Sequence, residues 1–113
     1  MTAATQAKYK NQARILKALA HPSRLLIVDE LARGERSVRE LTDMIGVEMP
    51  TVSRHLSILR NAGILADDKR GLQVFYSLRV PCVLNFFKCV EAVQRGEGKR
   101  TQRNPAPEMC CAT

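Results

Sequence analysis

A mainly α-helical domain with a small β-hairpin is the fold class that this sequence predicts, and three observations lead there. Apolar residues recur at helical spacing through the first half of the chain, between short breaks at proline and glycine. Past Gly63 the period shortens to two over "ILADDKRGLQVFYSL", which predicts two short strands joined by a turn at "KRG". A helical pattern then resumes at Pro81. With 113 residues the chain is expected to form one compact domain with length left for a tail.

The first helix is expected over residues 12–20, where Ile15, Leu16 and Leu19 share a face, and Pro22 in "HPS" breaks it by removing a helical hydrogen bond. Leu25, Val28, Leu31 and Ala32 carry the period into a second helix, and Gly34 is placed for a left-handed C-terminal cap. "SVRE" then spells a capping box, in which the Ser37 hydroxyl accepts an early amide and Glu40 accepts from the cap itself. The third helix that it starts carries Val38, Leu41 and Ile45, and "GVEMP" soon interrupts it. Pro50 suits the first turn of a fourth helix, where its missing N–H has no helical partner, and Gly63 marks the end.

In the hairpin, Val74, Tyr76 and Leu78 fall on one face, and the last helix has Val83, Phe86, Val90 and Val93 as its stripe. From Gly96 onward the composition turns to Gly, Lys, Arg, Gln, Asn and Pro, too little apolar surface to offset the entropy of ordering. The domain is therefore expected over residues 1–95, with a flexible basic tail carrying a Cys-Cys pair over residues 96–113.

Composition narrows the function classes. Lys and Arg number 18 against 11 Asp and Glu, a net +7, which favours an anionic partner such as nucleic acid. No apolar run approaches the roughly 18–20 residues of a membrane span. The polar start "MTAATQAKYKNQAR" has no apolar core followed by a cleavage site, so a soluble, cytoplasmic protein with no membrane partner is expected. Four cysteines without an export signal read as metal ligands or redox thiols rather than a disulfide framework. Cys82 and Cys89 also suit the role of small packed hydrophobes. No C-x-x-C pair and no Cys beside a histidine base is present, so neither a thiol enzyme nor, with so few thiols, a metal store fits. His21 and His55 read as local packing or hydrogen-bonding groups.

"PTVSRHLSILRNAG" carries the most specific signal. At about 100° per residue, Val52, Leu56 and Leu59 line one side while Ser53, Arg54, Ser57 and Asn61 fall on the other, with Thr51 at the exposed N-terminal end. Small hydroxyls let a helix approach the floor of the major groove, and Arg donates two hydrogen bonds to the edge of a guanine. A solvated face of an ordinary amphipathic helix has the same pattern. Placement separates the two readings: a short helix precedes, and the hairpin's basic "KRG" follows, as in a winged helix-turn-helix with a phosphate-contacting wing.

"ALAHPSRLLIVDEL", "TVSRHLSILRNAGIL" and "KRGLQVFYSL", in that order and spacing, resemble the ArsR/SmtB family of small metal- and metalloid-responsive repressors over about residues 13–93. The resemblance implies a homodimer joined through its first and last helices, bound to double-stranded operator DNA and released by ligand. It implies that Thr51, Ser53 and Arg54, with Ser57 on the same face, meet base edges, and that Lys69 and Arg70 hold the DNA backbone. Arsenic repressors with cysteines on the helix before the reading helix have them at positions that here are Ser37, Arg39 and Thr42, so that site is absent. The last-helix zinc site of other members uses His and carboxylate ligands, yet between residues 81 and 95 there is no His and only Glu91.

Sulfur remains. Cys82 and Cys89 in "PCVLNFFKC" project to nearly the same side of the last helix but about 10 Å apart along it. One ion cannot bridge them on an intact helix. The tail pair Cys110 and Cys111 can supply the missing ligands, because an extended linker of that length reaches roughly 45 Å. Three thiolates suit the pyramidal geometry of trivalent arsenic or antimony, which the family resemblance implies as inducer, with no organic cofactor. A thiol-redox or persulfide switch through the same cysteines, and a cadmium or zinc response, remain the alternatives.

Overall fold

The structure is a computed structural model that describes residues 1–96, so the expected tail with Cys110 and Cys111 lies outside the described residues. The described chain divides after Arg79 into two compact units.

In the first unit, α1 (Ala3–Leu19) is capped by Thr2, whose side chain accepts the Thr5 amide at 3.1 Å. It starts well before residue 12 because Ala, Gln and Lys favour helix without needing an apolar stripe; only Ala18 and Leu19 are buried. Pro22 does more than end α1: it opens α2 (Pro22–Leu31), whose cap is His21, with Nδ1 accepting the Ser23 amide at 3.1 Å. Ile27, Val28 and Leu31 are the buried stripe of α2. Leu25, expected on that stripe, projects roughly 110° from its centre and is 40% exposed.

The connection ends in β1 (Arg36–Ser37), a strand too short to show periodicity in the sequence. Ser37 then caps α3 (Val38–Ile45) through a complete capping box: Glu40 N–H donates to Ser37 Oγ at 3.1 Å, and Ser37 N–H to Glu40 Oε1 at 2.9 Å. That bond to the Ser37 backbone is the main reason the Glu40 carboxyl ionises more readily than usual.

After Gly46 the chain turns into α4 (Met49–Asn61). Gly63, at φ +87°, lets the α4 terminus close as a Schellman motif: Gly63 N–H donates to the Arg60 carbonyl and Ile64 N–H to the Leu59 carbonyl. Ile64 and Leu59, the two positions that such a motif commonly pairs through apolar contact, are both buried.

The hairpin pairs β2 (Leu65–Arg70) with β3 (Gln73–Leu78), and the sheet order is β1-β3-β2, antiparallel throughout. Arg70 pairs with Gln73, so the turn is Gly71-Leu72 and "KR" belongs to the strand. Gly71 alone takes positive φ, +63°, the pattern of a type II′ turn that matches strand twist. Of the expected face Val74, Tyr76 and Leu78, Tyr76 is buried and its neighbours are half-buried.

Ile27, Val28, Leu41, Val52, Leu56, Leu59 and Leu65 are fully buried and form the core on which α2, α3, α4 and the hairpin converge. Burying one such side chain is worth about 1.5–3 kcal/mol, so α4, with three of them, is held firmly against the domain. In the second unit α5 (Val83–Gln94) has no buried residue, and Phe86, Val90 and Val93 of its stripe are exposed. No helix among the described residues is long and apolar enough to cross a membrane.

Candidate nucleic-acid interface

Helix α4 has two chemically distinct sides. Val52, His55, Leu56 and Leu59, at spacings of three and four residues, are buried. Thr51, Ser53, Arg54 and Asn61 are exposed and Ser57 is half-buried, so the expected groove-facing set stands together on the solvent side. The capping box of α3 and the Schellman closure of α4 hold both ends of this pair of helices, which lets the short polar side chains act from a rigid base.

Beside Ser53 lies a groove of about 390 Å³, lined among others by Arg39, Met49, Leu72 and Gln73. Arg39 from α3 and Gln73 from β3 thus join the same face, although sequence reasoning did not select them. The available signal was modest: Arg39 stands off the Val38, Leu41 and Ile45 stripe, and Gln73 follows the turn. Leu72 at the hairpin tip is 102% exposed.

The two expected wing cations differ. Lys69 is exposed. The Arg70 guanidinium is engaged by protein: Nη1 and Nη2 donate to the two Glu35 carboxylate oxygens at 2.6 and 3.0 Å, and Nε donates to Asp68 at 2.9 Å. Its plane also covers the Phe75 ring at 4.7 Å. The Glu35 bonds first, and the Asp68 bond second, strengthen its hold on its proton beyond that of an ordinary arginine. Nearby, Arg60 in the last turn of α4 meets Asp67 at 3.1 Å and ties the reading helix to β2.

Both histidines serve local structure. Their rings meet at a tilt of 43° with 4.4 Å between centroids, His21 as the α2 cap and His55 only 7% exposed. His55 Nδ1 is buried without a hydrogen-bond partner among the described residues. Burial first, and then electrostatic repulsion from His21, Arg24 and Arg54, make His55 harder to protonate than usual.

Among the described residues no group of three or more His, Cys, Asp or Glu gathers as a metal site. Cys82 is the N-terminal cap residue of α5 and is disulfide-bonded. Cys89 is an exposed free thiol rather than a packed hydrophobe. Cys110 and Cys111 lie outside the described residues.

Similarity to known proteins follows the same outline. The family described as "Bacterial regulatory protein, arsR family" matches residues 21–67, which span α2, α3, α4 and the start of the hairpin. A biofilm growth-associated repressor of Xylella fastidiosa is 43% identical over 79 residues, 69% of each chain. The crystal structure of the transcriptional repressor BigR from Xylella fastidiosa superposes with a TM-score of 0.66 at 36% identity, covering 82% of this chain and 96% of that one. A homodimeric winged helix-turn-helix DNA-binding domain from Mycobacterium bovis reaches a TM-score of 0.73 at 28% identity, covering 93% and 97%. With the family match across the helix-turn-helix and a repressor relative 43% identical over 69% of each chain, the chain belongs to the arsR family of bacterial regulatory proteins.

Proposed function

We propose that this protein is a cytoplasmic transcriptional repressor that binds operator DNA as a homodimer and leaves it when cysteine sulfur captures trivalent arsenic or antimony. The observation that carries the DNA-binding part is the solvent side of α4, where Thr51, Ser53 and Arg54 stand exposed on a helix whose other side is buried. Such a helix enters a major groove without disturbing the core. Lys69 meets the phosphates from the wing, and a second copy covers the exposed apolar residues of α5, as well as Ile15 and Leu16 of α1. The name of the Xylella relative, a repressor, and the homodimeric state of the Mycobacterium bovis domain support this reading.

For the inducer, Cys82 or Cys89 joins Cys110 and Cys111 in a three-thiolate site, since the helix thiols stand about 10 Å apart along the axis. Exposure of Cys89 as a free thiol supports its availability. A soft-ion site needs reduced sulfur. The disulfide at Cys82 therefore favours a second reading, in which oxidation of the Cys82 thiol with a tail thiol is itself the signal. The deciding experiment adds arsenite to reduced protein on labelled DNA and follows both sulfur-to-arsenic charge-transfer absorption and DNA release. Absorption together with release is expected. Absence of both, with release on oxidation, would put the redox reading first, and lack of any duplex binding would overturn the repressor itself.

A further inference from the structure

We propose that Arg70 is a positioning residue, a latch that fixes the wing to the chain entering the helix-turn-helix, and that it is not one of the groups that grip DNA phosphate. The inference rests on the DNA-binding reading above and deepens it. Arg70 ends β2, at one edge of a sheet ordered β1-β3-β2, and Glu35 immediately precedes β1 at the other edge. The guanidinium crosses the middle strand over the ring of Phe75, which itself pairs with Ser37 of β1. Glu35 receives it through two parallel bonds of 2.6 and 3.0 Å, the fork geometry that fixes orientation as well as distance. Asp68 occupies Nε at 2.9 Å.

The far end of this latch lies two residues before the capping box. Glu35 is followed by Arg36 and then by Ser37, the cap of α3. A wing held at Glu35 is therefore held relative to the start of the helix that precedes the reading helix. A phosphate competing for Arg70 must displace two carboxylates, leaving Glu35 and Asp68 unneutralised beside a polyanion. Among the described residues Lys69 makes no ion pair that DNA binding would forfeit, and it is exposed. It is the better phosphate ligand. Because all partners are partly exposed, the latch contributes little to global stability, and its effect is geometric.

The test uses full-length protein and a duplex that the wild-type protein selects from a random-sequence pool, with affinity measured across salt concentrations. A residue that neutralises one phosphate contributes about 0.9 to the slope of log affinity against log salt. Lys69→Ala is expected to lose that increment. Arg70→Ala is expected to weaken binding about threefold to tenfold with the slope unchanged. Glu35→Gln is the sharper variant: removing an acidic residue beside DNA strengthens binding if it is a bystander, and weakens it if it is the latch partner. We expect weakening, and recovery of affinity in Glu35→Arg/Arg70→Glu. A slope reduced by about 0.9 in Arg70→Ala, or tighter binding by Glu35→Gln, overturns the latch. If the wild type selects no duplex, the DNA-binding reading fails by itself. Amide exchange in free protein then decides the latch: faster exchange across β2 and β3 in both single variants supports it, and unchanged exchange overturns it.

Discussion

Arg54 and His55 are neighbours in sequence and opposites in environment, one exposed on the solvent side of α4 and the other buried beneath it. Arg54→Ala is expected to cost about 1–3 kcal/mol at a selected duplex and far less on random DNA, measured by fluorescence anisotropy on both. His55 governs a pH dependence. In the unfolded chain it takes up a proton near pH 6.5, whereas burial holds the folded group neutral until lower pH. The unfolded state thus binds more protons below that point, and stability present above it falls as pH drops towards the lowered folded value. Thermal midpoints should therefore decline from pH 7 to pH 5, and His55→Gln should flatten the decline. The sequence carried Arg54's exposure, because a charge opposite an apolar stripe has one place to go. For His55 it indicated only local packing or hydrogen bonding, since the neighbour it is buried beside, His21, lies 34 residues away in the chain.

Helix termini are where local chemistry speaks most clearly in this chain. The "SVRE" capping box, Pro50 and Gly63 all act where their sequence positions predict, because each bond or dihedral involved lies within a few residues. Gly63 yields a direct test. A Cβ there meets nothing within 4 Å, so Gly63→Ala is limited by its φ of +87° alone. A left-handed residue costs about 1–2 kcal/mol for an L side chain, and calorimetry should record a Tm lower by several degrees with the exposed side of α4 unchanged. Elements whose cause is distant read less well. α1 begins early because its first turns are helical by propensity and bury nothing, and β1 exists because β3 offers it an edge.

At the scale of the whole molecule, α5 is the element that most needs a partner. It has 12 residues, none of them buried, with Phe86, Val90 and Val93 exposed. Isolated helices of that length are marginal in water, so a second copy covering this stripe is expected to set both oligomeric state and stability. Sedimentation should give a dimer, with a Tm that rises with protein concentration. Phe86→Asp with Val90→Asp should yield monomers that bind a two-site duplex at least tenfold more weakly, consistent with lost effective concentration. A variant that remains dimeric would place the interface elsewhere.

The sequence by itself determined the order of the five helices and the two hairpin strands, the closure of α3 and α4, and the polar side of the reading helix, because periodicity, capping and turn chemistry act between near neighbours. Tertiary structure alone decided that Arg70 belongs to Glu35, 35 residues away, that Arg39 and Gln73 share a groove with Ser53, and that His55 is buried beside His21. Those outcomes arise from segments brought together by the packing of the core, and no local pattern encodes which side chains then meet.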